Sequence, residues 1–221
     1  MNISSRIQTI GDFISDGEIV ADVGADHGLL ELYLLAKHKN VLITAIENKS
    51  GPFDILERSL SGFSNVRLSL SDGLDDIDPK TTTIVIAGIG GLNIKKILEK
   101  NHKKLESVKK IVLDAHRDID VARKTVVDYG FRISKEIIIY EDGKYYIINE
   151  FLKTDKNYDY SEDEIEFGYR IYQNKLWPNY RDYLIKRNEE TIQKISKDLK
   201  NQNKILKLKK LKERLLNYGK D

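Results

Sequence analysis

Apolar residues at positions 3, 7, 10 and 14 fall on one helical face and predict an amphipathic helix over residues 3–14. The pattern then changes to short, nearly continuous apolar runs at 18–23, 41–47, 66–70, 83–87 and 110–114. Runs of that length, rich in Val and Ile, predict strands buried on both faces. Segments with helical spacing separate most of them, at 28–39, 51–60, 92–104 and 118–129. Strand and helix in alternation predict an α/β domain with a mostly parallel sheet.

The rhythm breaks after residue 130. Residues 132–140 and 144–152 both read as strands, and Glu141, Asp142 and Gly143 between them predict a tight hairpin. A parallel sheet that ends in an antiparallel hairpin is the Rossmann-like methyltransferase pattern, not that of the dinucleotide dehydrogenases. Residues 153–161 are polar and read as a linker. Beyond them the spacing is helical. Ser161 followed by Glu164 predicts a capping box. A short helix is expected at 162–175, interrupted at Trp177 and Pro178. A longer one is expected at 179–199, with Ile185, Ile192, Ile195 and Leu199 on one face. Asn201, Gln202 and Asn203 read as a turn before a second stripe of Ile205, Leu208, Leu211 and Leu215. Two stripes joined by a short turn predict an antiparallel, coiled-coil-like helical hairpin. The expected domains are therefore 1–153 and 161–221.

Composition narrows the functional classes. The 221 residues contain no cysteine, which excludes disulfides and thiolate metal sites. Four scattered histidines suggest no metal constellation, and His38 and His102 read as solvated. No stretch approaches the roughly 20 apolar residues of a membrane span, and the first residues lack the apolar run of a signal peptide. The expectation is a soluble, cytoplasmic monomer. Net charge is only +2, but it is unevenly spread. Residues 151–221 carry 17 basic and 12 acidic groups, and from residue 193 onward the balance is 10 to 3. A basic tail on a slightly acidic body points to a polyanion such as RNA, or to a solvated helix.

The chemistry gathers at the strand ends. After the first strand the chain reads Asp22, Val23, Gly24, Ala25, Asp26, His27, Gly28. Two glycines and a following helix make a cofactor-binding turn. Asp26 stands where a dinucleotide site would prefer a third glycine. Its charge repels a pyrophosphate and suits the ammonium and sulfonium of S-adenosyl-L-methionine. Asp22 argues the same way, and NAD is the weakest reading. Glu47 ends the second strand 23 residues past Gly24, the place for an acid that binds ribose hydroxyls, and Asn48 adds a polar contact. Asp72 and Gly73 after the third strand suit an adenine amino group, or form a plain turn. Ala87, Gly88, Ile89, Gly90 and Gly91 leave backbone bare after the fourth strand, where ligands bind open α/β sheets.

Taken together these motifs resemble the bacterial tRNA (adenine(22)-N1)-methyltransferase family, known as TrmK. The matching segments are DVGADHGLL at 22–30, ENKSGP at 47–52, DGL at 72–74, AGIGG at 87–91, GFRISKEIIIYEDGKYYII at 130–148 and EFGYRIYQNK at 166–175. The resemblance implies a Rossmann-like domain that binds S-adenosyl-L-methionine, a C-terminal coiled-coil-like domain, and methylation of adenosine 22 of tRNA. Three places along the chain, five residues in all, depart from the family pattern. Glu31 or a neighbour stands where a proline is usual, and Ile89 where a methionine is usual. Asp114, Ala115 and His116 stand where the family reads Gln-Pro-Asn, so no catalytic role is carried onto them.

Adenine N1 has its own lone pair and needs no base to remove a proton before it attacks a methyl group. Alignment and stabilisation of the cationic product are the tasks left. Asp26 is the candidate catalytic carboxylate; the alternative is a cap on the next helix. His27 either holds Asp26 and contacts the cofactor, or packs beneath the turn. Tyr145, Tyr146 and Trp177 are aromatics that either stack on a base or fill the core. Lys204, Lys207, Lys209, Lys210 and Arg214 form the candidate RNA-binding surface, unless the tail is a protein-pairing coiled coil. The competing functions are a methyltransferase for another RNA base or a small molecule, and a catalytically idle RNA-binding protein.

Overall fold

A computed structural model describes residues 3–196 and 199–220, without the side chain of Leu199. Leu199, the last residue of the first expected tail stripe, therefore lies outside the described side chains. The chain divides into two compact units, Met1–Asp159 and Tyr160–Asp221.

The first unit is a seven-stranded sheet. Its elements in chain order are α1 (Ser5–Gly11), β1 (Ile19–Val23), α2 (Leu29–Lys37), β2 (Leu42–Glu47), α3 (Ser50–Leu60), β3 (Val66–Leu70), β4 (Thr83–Ile89), α4 (Gly91–Lys100), β5 (Lys110–Ala115), α5 (Ile119–Asp128), β6 (Phe131–Glu141) and β7 (Lys144–Lys153). The strand order is β3-β2-β1-β4-β5-β7-β6. The first five strands run parallel, and β7 lies antiparallel between β5 and β6. This is the mostly parallel Rossmann-like sheet with a terminal hairpin that the sequence predicts.

Alternation of side chains explains the continuous apolar runs. Val20, Ile43, Val85 and Val112 point to the face covered by Ile10, Leu30 and Leu34. Their neighbours Ala21, Ile84, Ile86, Ile111 and Leu113 are buried as well. Both faces of β1, β2, β4 and β5 are shielded, so these four strands need no polar side. The hairpin turn has Asp142 at φ 49° and Gly143 at φ 75°, the two left-handed positions of a type I′ connection. Glu141 pairs with Lys144 across it. The connection is thus two residues long, not three.

The order reverses at β1, which lies between β2 and β4. Crossovers leave in opposite directions there, and a crevice opens at the carboxyl ends of the strands.

The second unit is helical: α6 (Glu162–Phe167), α7 (Trp177–Ile195) and α8 (Gln202–Asn217). Ser161 caps α6 in a reciprocal box with Glu164, as expected. The helix expected over 162–175 stops at Phe167. Gly168 at φ 123° and Arg170 at φ 55° take the backbone out of helical space, and a 3-10 turn at Ile171–Gln173 follows. Trp177 and Pro178 open α7 instead of interrupting a helix, because proline in a first turn loses no internal hydrogen bond. The turn expected at 201–203 falls earlier, and α8 begins at Gln202. Asn201 donates to the Ile195 carbonyl at 3.3 Å and Asn188 to the Leu208 carbonyl at 2.8 Å, so positions rise along α8 as they fall along α7 and the two helices run antiparallel. Phe167, Tyr172 and Trp177 pack edge-on around Tyr218. Trp177 is buried there, so its role is core and not base stacking.

Candidate functional site

The turn after β1 takes its shape from two glycines and an acid in left-handed conformations. Gly24 has φ 85°, Asp26 φ 48° and Gly28 φ 75°. Gly24 and Ala25 both donate to the Ile46 carbonyl, at 2.8 and 3.0 Å, which ties the turn to β2. A side chain at Gly28 would press on Leu56 and Leu60 at 3.1–3.3 Å. Gly28 itself occupies the N-cap of α2, with no side-chain cap. Asp26 therefore does not cap the helix. Its side chain is 62% exposed and that of His27 55%, with His27 Nε2 3.6 Å from Asp26 Oδ2. His27 does not pack beneath the turn either. The local backbone bends both residues outward.

They bend into a cavity of about 420 Å³ at the carboxyl ends of β1, β2 and β4. Asp22, Gly24, Asp26, His27, Glu47, Asn48, Ala87, Gly88 and Ile89 all line it. A second cavity of about 90 Å³ shares Gly24, Asn48 and Ile89 and is lined by Asp72 and Gly73. Four strand ends thus bring most of the predicted cofactor residues to one connected crevice. Glu47 Oε1 accepts N–H bonds from Asn48 and Lys49, both at 3.0 Å, which holds its carboxyl at the wall. Asp72 pairs with Lys100 at 3.2 Å.

Three predicted residues do not line the crevice. Gly28 is needed for its contact with α3. Gly90 lies against the Arg117 side chain, and a Cβ on Gly91 would fall 1.9 Å from the Asp118 carbonyl oxygen. These glycines are required by close packing, not by an open backbone.

The sequence pattern does not reveal the α1 side of the cavity. Ser4, Arg6, Ile7 and Ile10 line it. Arg6 reaches Asp114, 108 residues away, at 2.8 Å. The only forward signal is the amphipathic spacing of α1, which says nothing about where its polar face lands. Glu31 is hidden in the same way. It is completely buried on α2 and coupled to Asp22. Burial pushes both carboxyls up, Asp22 to about 6, and the Asp22 charge pushes Glu31 further. Two carboxyls at one buried site cannot both ionise cheaply, so burial and mutual repulsion disfavour the doubly charged pair.

The electrostatics of the crevice suit a cation more than an anion. Asp22, Asp26 and Glu47 converge on it, beside bare backbone at Gly88. Among the described residues there is no group of acids and histidines able to hold a metal ion, and no helix long and apolar enough to cross a membrane.

A methyltransferase-domain family model matches residues 3–148, the span that builds this crevice. A curated relative, the tRNA (adenine(22)-N(1))-methyltransferase of Bacillus subtilis (strain 168), is 32% identical over 165 residues, 72% of this chain and 69% of the relative. The chain belongs to the tRNA (adenine(22)-N(1))-methyltransferase family. Among solved structures, a Streptococcus pneumoniae protein described as a candidate tRNA (m1A22) methyltransferase is similar at TM-score 0.88 and 25% identity, over 98% of this chain and 99% of that one. The same protein in complex with S-adenosyl-L-methionine matches at TM-score 0.80 and 25% identity, over 97% and 100%. The Bacillus subtilis family member shares the fold over 98% of both chains, at TM-score 0.86 and 24% identity. Family members thus share both the sheet and the helical unit.

On the helical unit, Lys204, Lys207, Lys209 and Lys210 lie along α8 and are all exposed. Arg214 is not a free cation. It pairs with Asp163 and, at 2.8 Å, with Glu166, and its side chain is half-buried. Both acids come from α6, so Arg214 joins α6 to α8.

Proposed function

We propose that this protein transfers the methyl group of S-adenosyl-L-methionine to N1 of adenosine 22 in tRNA. The observation that carries the reading is the acid-lined crevice at the β1/β4 switch point, in a chain of this family. The crevice fits the cofactor in charge: Asp22 and Asp26 face a cationic amino-acid end, and Glu47 stands where ribose hydroxyls are held. Asp72 and Gly73, in the adjoining cavity, suit its adenine. When bound, the cofactor supplies an electrophilic methyl.

The protein's own residues supply alignment and charge. The bare backbone at Gly88 and Ile89 lets the acceptor base come close. The adenine N1 lone pair forms the new N–C bond as the S–C bond breaks, and the positive charge moves from sulfur to the base. No proton need leave first. Asp26, exposed on a rigid turn, is the carboxylate that stabilises the charge arriving on the base. His27 beside it orients that carboxylate. The target lies within the folded tRNA, so the base is extruded from its stack before reaction. Lys204, Lys207, Lys209 and Lys210 hold phosphates and set orientation. The reaction takes place in the cytoplasm.

The test is incubation of the protein with labelled S-adenosyl-L-methionine and an unmodified tRNA transcript, followed by mass-spectrometric mapping. Label on N1 of adenosine 22 is the expected result. Label on another nucleotide, or none, refutes the reading.

A further inference from the structure

Arg6 on α1 is the centre of a polar cluster that the methyl-transfer chemistry above does not use. Its Nη1 donates to Asp114 Oδ2 at 2.8 Å and lies 2.9 Å from His116 Nε2. The guanidinium also sits 5.0 Å from the Tyr146 ring centre, and His116 tilts against Tyr146 at 5.7 Å. The cluster is built onto the wall of the cavity. Asp114 pairs in register with Ala87, the His116 N–H donates to the Ile89 carbonyl at 2.9 Å, and Arg6 itself lines the cavity.

Donor chemistry fixes the state of the ring. A guanidinium has donors only, so His116 Nε2 must be the acceptor. The ring is then neutral, with its proton on Nδ1. His116 Cε1 is the atom facing Gly88, 4.0 Å from where a Cβ would stand. Cε1 joins the two nitrogens. With Nε2 turned to Arg6, Nδ1–H lies on the other flank of the same edge. The His116 side chain is 42% exposed, whereas that of Asp114 is fully buried. Asp114 Oδ1 has no hydrogen-bond partner among the described residues. Burial pushes the Asp114 carboxyl up, while Arg6 pulls it back. Arg6 is thus the cation that lets Asp114 stay charged, and Asp114 in turn fixes the position of Arg6.

We propose that His116 is a substrate ligand, donating from Nδ1–H to a ring nitrogen of the acceptor adenine, with Arg6 and Asp114 as positioning residues that hold its tautomer. With N1 aimed at the methyl group, N3 and N7 are the ring acceptors left for such a donor. The proposal rests on the adenine reading above.

Two measurements on the full-length protein test it. Nitrogen-15 spectra of the His116 ring should show the Nδ1–H tautomer in the wild type and its loss in Arg6→Gln. An Nε2–H tautomer in the wild type overturns the proposal. In tRNA methylation, His116→Ala should reduce kcat/KM for tRNA about tenfold or more, about what one missing hydrogen bond is worth, with the Kd for S-adenosyl-L-methionine unchanged. His116→Asn, whose amide nitrogen occupies the Nδ1 side, should restore part of the loss, and His116→Gln should not. Wild-type kinetics in His116→Ala would overturn the proposal, as would equal rescue by Asn and Gln. No transfer to tRNA by a wild-type chain that still shows the Nδ1–H tautomer would count against the tRNA reading and for the Arg6–His116 arrangement.

Discussion

Asp26 is held at φ 48°, a left-handed conformation that Asp and Asn tolerate better than other side chains. It caps no helix, and its charge partner is His27 at 3.6 Å. Asp26→Asn keeps the backbone preference and removes the charge. It should leave stability within about 0.5 kcal/mol and lower turnover about 100-fold or more. Thermal melts and methyl-transfer rates on the same sample check both halves, and near-normal turnover would end the assignment. The Asp22–Glu31 pair makes a different prediction. Both folded-state pKa values are raised, so this pair binds more protons in the folded protein than in the unfolded chain. Its contribution to stability is therefore greatest at the acid end and is lost as pH rises from the ordinary carboxylate range through about 6. Glu31→Gln removes one of the two acids, and the pair's contribution to the slope of unfolding free energy against pH should shrink. An unchanged slope would show that burial does not raise the two carboxyls. Asp22 was legible as a strand-end acid. Its partner was not, because a glutamate on a helix face gives no sign in the sequence that it will be fully buried.

At the scale of elements, the N-terminus of α4 is set by how closely it approaches the loop after β5. Gly91 donates to the Arg117 carbonyl at 2.8 Å and has no room for a Cβ beside Asp118. Gly91→Ala should cost about 1–3 kcal/mol through overpacking and weaken cofactor binding by moving Gly88 and Ile89. Denaturant unfolding and calorimetric titration measure the two effects, and full stability in the variant would contradict the packing account. Strands and helices of the sheet unit were legible because each apolar run had to be buried on two faces. The hairpin was legible because Asp142 and Gly143 tolerate the left-handed turn. The break at Gly168 was not. Glycine inside a helical pattern signals a stop only when its backbone angle is known, and φ 123° is not written in the sequence.

For the whole molecule, the basic tail is a question of long-range charge. Among the described residues, Lys204, Lys207, Lys209 and Lys210 run along α8 without an acidic partner of the kind Arg214 has in Asp163 and Glu166. Replacing the four lysines with Gln should weaken tRNA binding and reduce the salt slope by about 0.7–0.9 for each phosphate no longer neutralised. Cofactor affinity should not change. Replacing Arg214 should instead destabilise the helical unit, and a tRNA slope unaffected by the four-lysine change would remove α8 from the interface. Element order, the terminal hairpin and the acids and glycines at the strand ends were readable along the chain, because periodicity and turn chemistry are local. So was the gathering of Asp22, Asp26, Glu47 and Gly88 at one end of a sheet, since strand ends in a parallel order must share an edge. Folding in three dimensions was needed to show that Arg6 lines the cavity from α1, that Glu31 faces Asp22, and that Gly90 and Gly91 pack instead of opening the crevice. Each of those depends on two residues far apart in the chain meeting in space, and no local pattern encodes that distance.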